Sequence, residues 1–189
     1  MRFFIALEPG RDLLESVLKN TALLREKYPG FRWMPPENLH ITLAFLGETD
    51  AGLLPQIKQA AETAVKFSGQ GVIHAGGGKL FTLPRGKTAN VLALGFESGK
   101  ERIASLAGNI RKNLEIRGII IKGKDRNFTP HITLARKGRT VPRPGNEDSC
   151  ISFRGDIMSL GVYESRLSAG GAEYMQLAVY PLDSCFSTI

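Results

Sequence analysis

The segments Leu39–Gly47, "LHITLAFLG", and Pro130–Gly138, "PHITLARKG", share five identical residues, His-Ile-Thr-Leu-Ala, half a chain apart. They hold His40 and His131, two of the chain's 3 histidines. Apolar residues alternating with His and Thr have the period of a half-buried strand, in which successive side chains take opposite faces. His40 and Thr42 then share a polar face, with Ile41, Leu43 and Phe45 behind them. His131 and Thr133 stand likewise against Ile132 and Leu134. This alternation makes Phe45 a core residue and sets Arg136 one step off the His131/Thr133 face. Two such strands in similar lobes, related by an approximate two-fold, would bring two imidazoles and two hydroxyls into one cleft.

The rest of the chain reads as elements that could carry the cassettes. "RFFIAL" is a first strand, and "RDLLESVLKNTALLREKY" a helix with Leu13, Leu14, Val17, Leu18, Leu24 and Tyr28 on one face. "FRWMPPENLH" is a turn-rich connection. "TDAGLLPQIKQAAETAVKF" is a second helix, with Asp50 as cap and Pro55 in its first turn. Two or three strands follow, the last being "NVLALGF". Ser98 and Glu101 form a capping box for a helix bearing Ile103, Leu106, Ile110 and Leu114, which ends by Gly118. "GIIIKGKDRN" is a short strand and a basic loop, "TVPRPGNEDSC" a surface loop, and the tail a hairpin around "SAGG". The expected class is α+β: two pseudo-symmetric lobes, each an antiparallel sheet backed by helices, around a central cleft, in one bilobal domain over residues 1–189.

No apolar run approaches the roughly 20 residues of a membrane span. "MRFFIALEPG" is interrupted too early for a secretory segment. A cytoplasmic, monomeric protein without membrane contact is expected. Cys150 and Cys185 have no C-x-x-C spacing and read as reduced, partly buried thiols. The net charge of +7 gathers around the second cassette, in Lys122, Lys124, Arg126, Arg136, Lys137, Arg139 and Arg143, which points to a phosphate-bearing ligand.

Two imidazoles opposed across a phosphate form a general acid–base pair, and hydroxyls beside them can donate to the non-bridging oxygens. This chemistry needs no metal and no cofactor. A zinc site of His40, His131 and His74 is the alternative, but the cassettes place no Asp, Glu or Cys on the polar face. A non-catalytic RNA-end or nucleotide-binding protein is a further alternative. The basic cluster suits it equally, but binding alone does not require two titrating imidazoles. Arg136 is the candidate second phosphate contact. Phe45, Phe81, Phe128 and Tyr163 are the aromatics that could stack a base, with Phe45 assigned to the core.

The paired cassettes, with "HITLAFLG" in the first, "RNFTPHITLAR" around the second and "SRLSAGGAEY" near the end, resemble the two-histidine (2H) phosphoesterases, in their RNA 2′,3′-cyclic phosphodiesterase (2′-5′ RNA ligase) branch. The likeness runs from "FFIAL" to "YPL". It implies metal-independent hydrolysis of an RNA terminal 2′,3′-cyclic phosphate to a 2′-phosphomonoester, with minor reversible 2′-5′ ligation. It also implies His40 as proton donor, His131 as proton acceptor, and Thr42 and Thr133 beside them. Arg136, Phe128 and Tyr163 are the candidate substrate-binding residues. Cyclic-phosphate-ended RNA, tRNA fragments among them, or nucleotides are the expected partners.

Overall fold

The computed structural model describes residues 1–68, 71–83, 91–123, 128–137, 150–168 and 171–182. Its elements are β1 (Arg2–Pro9), α1 (Arg11–Lys27), β2 (Phe31–Trp33), β3 (Ile41–Glu48), α2 (Leu54–Lys66), β4 (Ile73–Leu83), β5 (Val91–Gly95), α3 (Lys100–Ile116), β6 (His131–Lys137), β7 (Cys150–Ser168) and β8 (Gly171–Pro181). The class is α+β, as expected. Every strand pairing is antiparallel, along the path β2-β6-β5-β4-β7-β1-β3 with β8 added to β7. Among the described residues, no helix is long and apolar enough to cross a membrane.

β7, 19 residues long, is the spine. Its first half pairs β4, and its second half pairs β8 on one side and β1 on the other. One end of the path therefore carries the first cassette on β3, the other the second on β6. β3 and β6 are distant along the path yet touch in space, so the sheet curls until the cassettes meet. Phe3, Ile5 and Leu7 of β1 form the core with Leu13, Val17 and Leu24 of α1 and Ile103, Leu106 and Ile110 of α3. Leu14 and Leu18, expected on the same helical face, are partly buried against it, and Tyr28 is buried.

Four local expectations change. The "FRW" stretch is β2 rather than a turn, paired to β6 by Arg32 with Arg136 and Trp33 with Ala135. Three residues are too few to show a period, and their partner lies about a hundred residues on. The "GIII" stretch is not a strand. Ile119 and Ile121 are buried, and the Lys122 amide donates to the Phe45 carbonyl at 2.8 Å. Gly118 and Gly123, both left-handed, leave too short an extended run for a ladder. The capping box does not form, because left-handed Gly99 heads α3 and the Ser98 hydroxyl donates to the Gly76 carbonyl instead. Cys150 is exposed rather than partly buried, because it opens β7 at the end of the β4 ladder. Asp50 does cap its turn, accepting from the Gly52 amide at 2.9 Å, and Ser168 pairs with Gly171 in the expected hairpin. Lys124, Arg126, Arg139, Arg143, Cys185 and the 141–149 loop lie outside the described residues.

The seat of α1 on β7 depends on a missing side chain. A Cβ on Gly155 would lie 2.3 Å from the Leu13 amide nitrogen. Gly155→Ala should therefore cost about 1–3 kcal/mol, since backbone must move to admit the methyl group. Gly108 is exposed inside α3 with nothing within 4 Å of its Cβ position. Gly108→Ala should stabilise by about 0.5–1 kcal/mol through helix propensity. Denaturant unfolding of both variants checks the pair, which should shift in opposite directions.

Candidate active site

Both cassettes break strict alternation at the same residue. Against β1, Ala44 of β3 pairs with Ile5 and Thr42 with Ala6, leaving Leu43 as an extra residue. Against β5, Ala135 of β6 pairs with Leu92 and Thr133 with Ala93, leaving Leu134 extra. Each is a β-bulge, in which two residues oppose one. Leu43 and Ala44 are both buried, as are Leu134 and Ala135. The residue three beyond each threonine consequently returns to the imidazole face.

Two sequence expectations are corrected by this. Phe45 is not core: it is 37% exposed and pairs with Phe4, on the face of Thr42. Arg136 pairs with Val91, two residues from the Ala93 partner of Thr133, and so lies on the His131/Thr133 face. Simple alternation failed because a bulge consumes one residue of the period. The consecutive Leu-Ala apolar pair in each cassette was the available signal.

The imidazoles are held alike. His40 Nδ1 lies 2.8 Å from the Asn38 carbonyl, and His131 Nδ1 lies 2.8 Å from the Thr129 carbonyl, each two residues upstream. A carbonyl only accepts, so Nδ1 carries the proton in both rings and Nε2 is left to exchange protons. The Thr42 hydroxyl stands 3.0 Å from His40 Nε2. Phe4 lies 5.1 Å from the His40 ring and Tyr174 edge-on at 5.3 Å, while Phe81 meets His131 edge-on at 5.7 Å. Burial lowers the pKa of His40 to about 4; the Asn38 hydrogen bond opposes this, and the charges of Arg136 and His131 add to it. Burial lowers that of His131 too, opposed by the Thr129 bond and reinforced by Arg136. The Arg136 charge is felt at both rings, and that of His131 at His40, so the three groups lie near one another.

The other candidates separate. Phe128 is half-buried beneath Arg111, whose guanidinium lies 4.8 Å from its ring centre. Arg111 Nε also donates to the Leu43 carbonyl at 3.2 Å, tying the bulge of one cassette to the approach of the other. Tyr163 lies flat against Phe4, ring centres 4.9 Å apart, and its hydroxyl donates to Glu8. His74 does not join the other histidines. It sits on β4 with Nδ1 2.5 Å from an Asp156 carboxylate oxygen, on the strand next to it. Among the described residues, no group of three His, Cys, Asp or Glu side chains could hold a metal ion, which removes the three-histidine zinc arrangement. Arg32 on β2, beside Arg136, adds a cation to this edge that the turn-like reading of "FRW" concealed.

The depressed histidines make stability depend on pH. Each folded-state pKa lies below the unfolded value of about 6.5, so the unfolded chain binds more protons in between. The contribution is full above that value and is lost as pH falls toward about 4, where His40 titrates in the fold. His40→Gln should flatten the loss of unfolding free energy between neutral and mildly acid pH by on the order of 2 kcal/mol. Urea unfolding of wild type and variant across that range measures the difference.

A family profile described as LigT like Phosphoesterase matches residues 12–81. An RNA 2′,3′-cyclic phosphodiesterase of Aquifex aeolicus is 32% identical over 113 residues, which are 56% of this chain and 54% of that protein. This chain thus spans about half of that relative. The protein of the same name from Thermus thermophilus is 26% identical over 96% of this chain and 90% of its own length. The crystal structure of TT0787 of Thermus thermophilus superposes with a TM-score of 0.81 at 25% identity, covering 97% of this chain and 98% of that one. Escherichia coli LigT in apo form shares the fold at a TM-score of 0.71 and 24% identity, over 95% and 96%. Sequence, fold and the duplicated cassette agree in one likeness: the chain is similar to LigT-like phosphoesterases.

Proposed function

We propose that the protein hydrolyses the terminal 2′,3′-cyclic phosphate of RNA to a 2′-phosphomonoester by paired-histidine acid–base catalysis. The observation that supports this reading is the matched pair of Nδ1-anchored imidazoles, both within reach of the Arg136 charge. The name shared by the relatives from Aquifex aeolicus and Thermus thermophilus supports the substrate class. In the proposed reaction His131 Nε2 takes a proton from water as its oxygen attacks phosphorus. The bond from phosphorus to the 3′ oxygen breaks, and His40 Nε2 delivers a proton to that oxygen. Thr42 and Thr133 donate to the non-bridging oxygens, and Arg136 offsets their charge. Phe45, returned to this face by its bulge, is the platform for the terminal base. An RNA 5′-hydroxyl that attacks in place of water, as the same bond from phosphorus to the 3′ oxygen breaks, gives the minor, reversible 2′-5′ ligation. RNA fragments in the cytoplasm, those of tRNA included, are the proposed substrates, and the whole chain acts as one bilobal unit.

A binding protein without turnover would need the cations alone. Fixing both rings by Nδ1 readies Nε2 for proton transfer, which favours catalysis over an adaptor role.

His40→Ala and His131→Ala should each lower kcat for a 2′,3′-cyclic mononucleotide by about 10²-fold or more, and the losses should not multiply, because the rings act as a unit. The productive form has one ring protonated and one neutral. With both pKa values depressed, that form becomes scarce in the free enzyme as pH rises, so kcat/KM should fall through neutral pH. A bound phosphate anion raises both values, so kcat should fall only at higher pH. Initial rates across about pH 5 to 9 decide it, on the scale set by imidazole. A flat profile would exclude the paired-histidine mechanism. Chelator should leave the rate unchanged.

A further inference from the structure

The sheet face that carries His40 continues sideways into a second feature. Leu7 pairs with Ile41, so Glu8 comes abreast of His40. Across β7, Glu8 pairs with Ser159 and Phe4 with Tyr163, and across β8 Tyr163 pairs with Gln176. Phe4, Glu8, Tyr163 and Gln176, with Glu37 and Tyr174, border a cavity of about 390 Å³ that His40 itself helps to line. Its floor is preformed. The Tyr163 ring folds back over Gly161, where a Cβ would stand 2.5 Å from it, and lies within 13° of parallel to Phe4. The Glu8 carboxylate accepts from the Ser159 hydroxyl at 2.5 Å, from the Tyr163 hydroxyl and from the Gln176 amide. The amide nitrogen of Gln176 is thereby fixed, which orients its carbonyl oxygen.

The chemistry of the lining selects its occupant. It combines aromatic surface with two carboxylates, and among the described residues no Lys or Arg lines it. Such a site disfavours phosphate and suits a neutral, planar ring that presents N–H groups: the amino-bearing edge of a nucleobase. We propose that this cavity is a second nucleoside subsite, which takes the base of the nucleotide immediately 5′ of the cyclic-phosphate end. The assignment rests on the reading of the cleft given above. In a ribose the 2′ carbon adjoins the carbon that bears the base, whereas the 3′ carbon adjoins the one that leads to the 5′ chain. A 3′ oxygen held against His40 therefore sends the terminal base away from His40 and the upstream chain toward it. The cavity lies on the His40 side. Phe45, the platform for the terminal base, lies further along β3 than His40 and Thr42, cross-strand from Phe4, and is not among the residues that line it.

The test compares adenosine 2′,3′-cyclic phosphate with the dinucleotide ApA ending in a 2′,3′-cyclic phosphate, in wild type, Gln176→Leu and Glu37→Gln. Gln176 and Glu37 are exposed on the rim, and circular dichroism confirms that the variants fold. Wild type should show kcat/KM about tenfold or more higher for the dinucleotide, from one added stacked base. Each variant should lose about threefold to tenfold of that advantage through KM, with mononucleotide kinetics unchanged. An upstream uridine, which has a single N–H, should gain less than adenosine. Equal kcat/KM for the two substrates, or variants that slow both alike, would overturn the subsite. Calorimetric binding of adenosine 2′-phosphate and ApA 2′-phosphate separates the two readings. If neither cyclic substrate turns over, the catalytic reading fails. Tighter dinucleotide binding that Gln176→Leu abolishes would still uphold the subsite, and equal binding would overturn it.

Discussion

The site depends on one backbone device used twice, the extra leucine at Leu43 and Leu134. A regular strand would have put Phe45 and Arg136 behind the sheet. The bulges bury two consecutive apolar residues, which anchors each cassette to the core and re-aims the next side chain into the cleft. The same deviation leaves the Leu43 carbonyl to Arg111 of α3, whose guanidinium also covers Phe128 ahead of the second cassette. Pairing of β2 with β6 adds a second tie, because the segment that leads to His40 is hydrogen-bonded to the strand that begins with His131. The distance between the imidazoles is thus set by ladder bonds and a guanidinium rather than by loops.

That rigidity has an electrostatic consequence. Taking both rings out of water beside a shared cation disfavours protonation of either. The free site therefore holds two neutral imidazoles at neutral pH and lacks an acid until an anion arrives. In the proposed reaction a phosphate between them would supply the missing negative charge, so that ligand binding and creation of the acid become one event. Arg136 works in both directions, attracting the anion while keeping the rings neutral in its absence.

Much of this was legible in the sequence. The duplicated five residues singled out the four cassette side chains as candidates, and the helical periods located α1, α2 and α3, because those signals are local. What escaped was non-local. β2 is three residues whose meaning lies in a partner strand, and the capping box at Ser98 lost to a long-range bond with the Gly76 carbonyl. Glu8, abreast of His40, sits in a short apolar strand with no motif around it. Only the register of β1 against β3 and β7 brings it to the cleft with Ser159, Tyr163 and Gln176. Phe45 was misassigned by a correct rule, alternation, applied across a bulge.

The two cassettes are the same in backbone and in their first five residues and differ at the sixth, where Phe45 stands opposite Arg136. A symmetric cleft would treat the two ends of a phosphodiester alike. A nucleoside cyclic phosphate is not symmetric: one side offers an aromatic base and the other oxygens with negative charge. An aromatic ring at one sixth position and a guanidinium at the other give the cleft a direction, and with it different tasks for two imidazoles that are anchored identically. Exchanging the pair, Phe45→Arg with Arg136→Phe, should preserve the bulges and the fold, since both side chains are exposed, but remove the match between cleft and substrate. In the proposed reaction the polarity of the acid–base pair would therefore reside in the two residues that the bulges deliver and not in the histidines themselves.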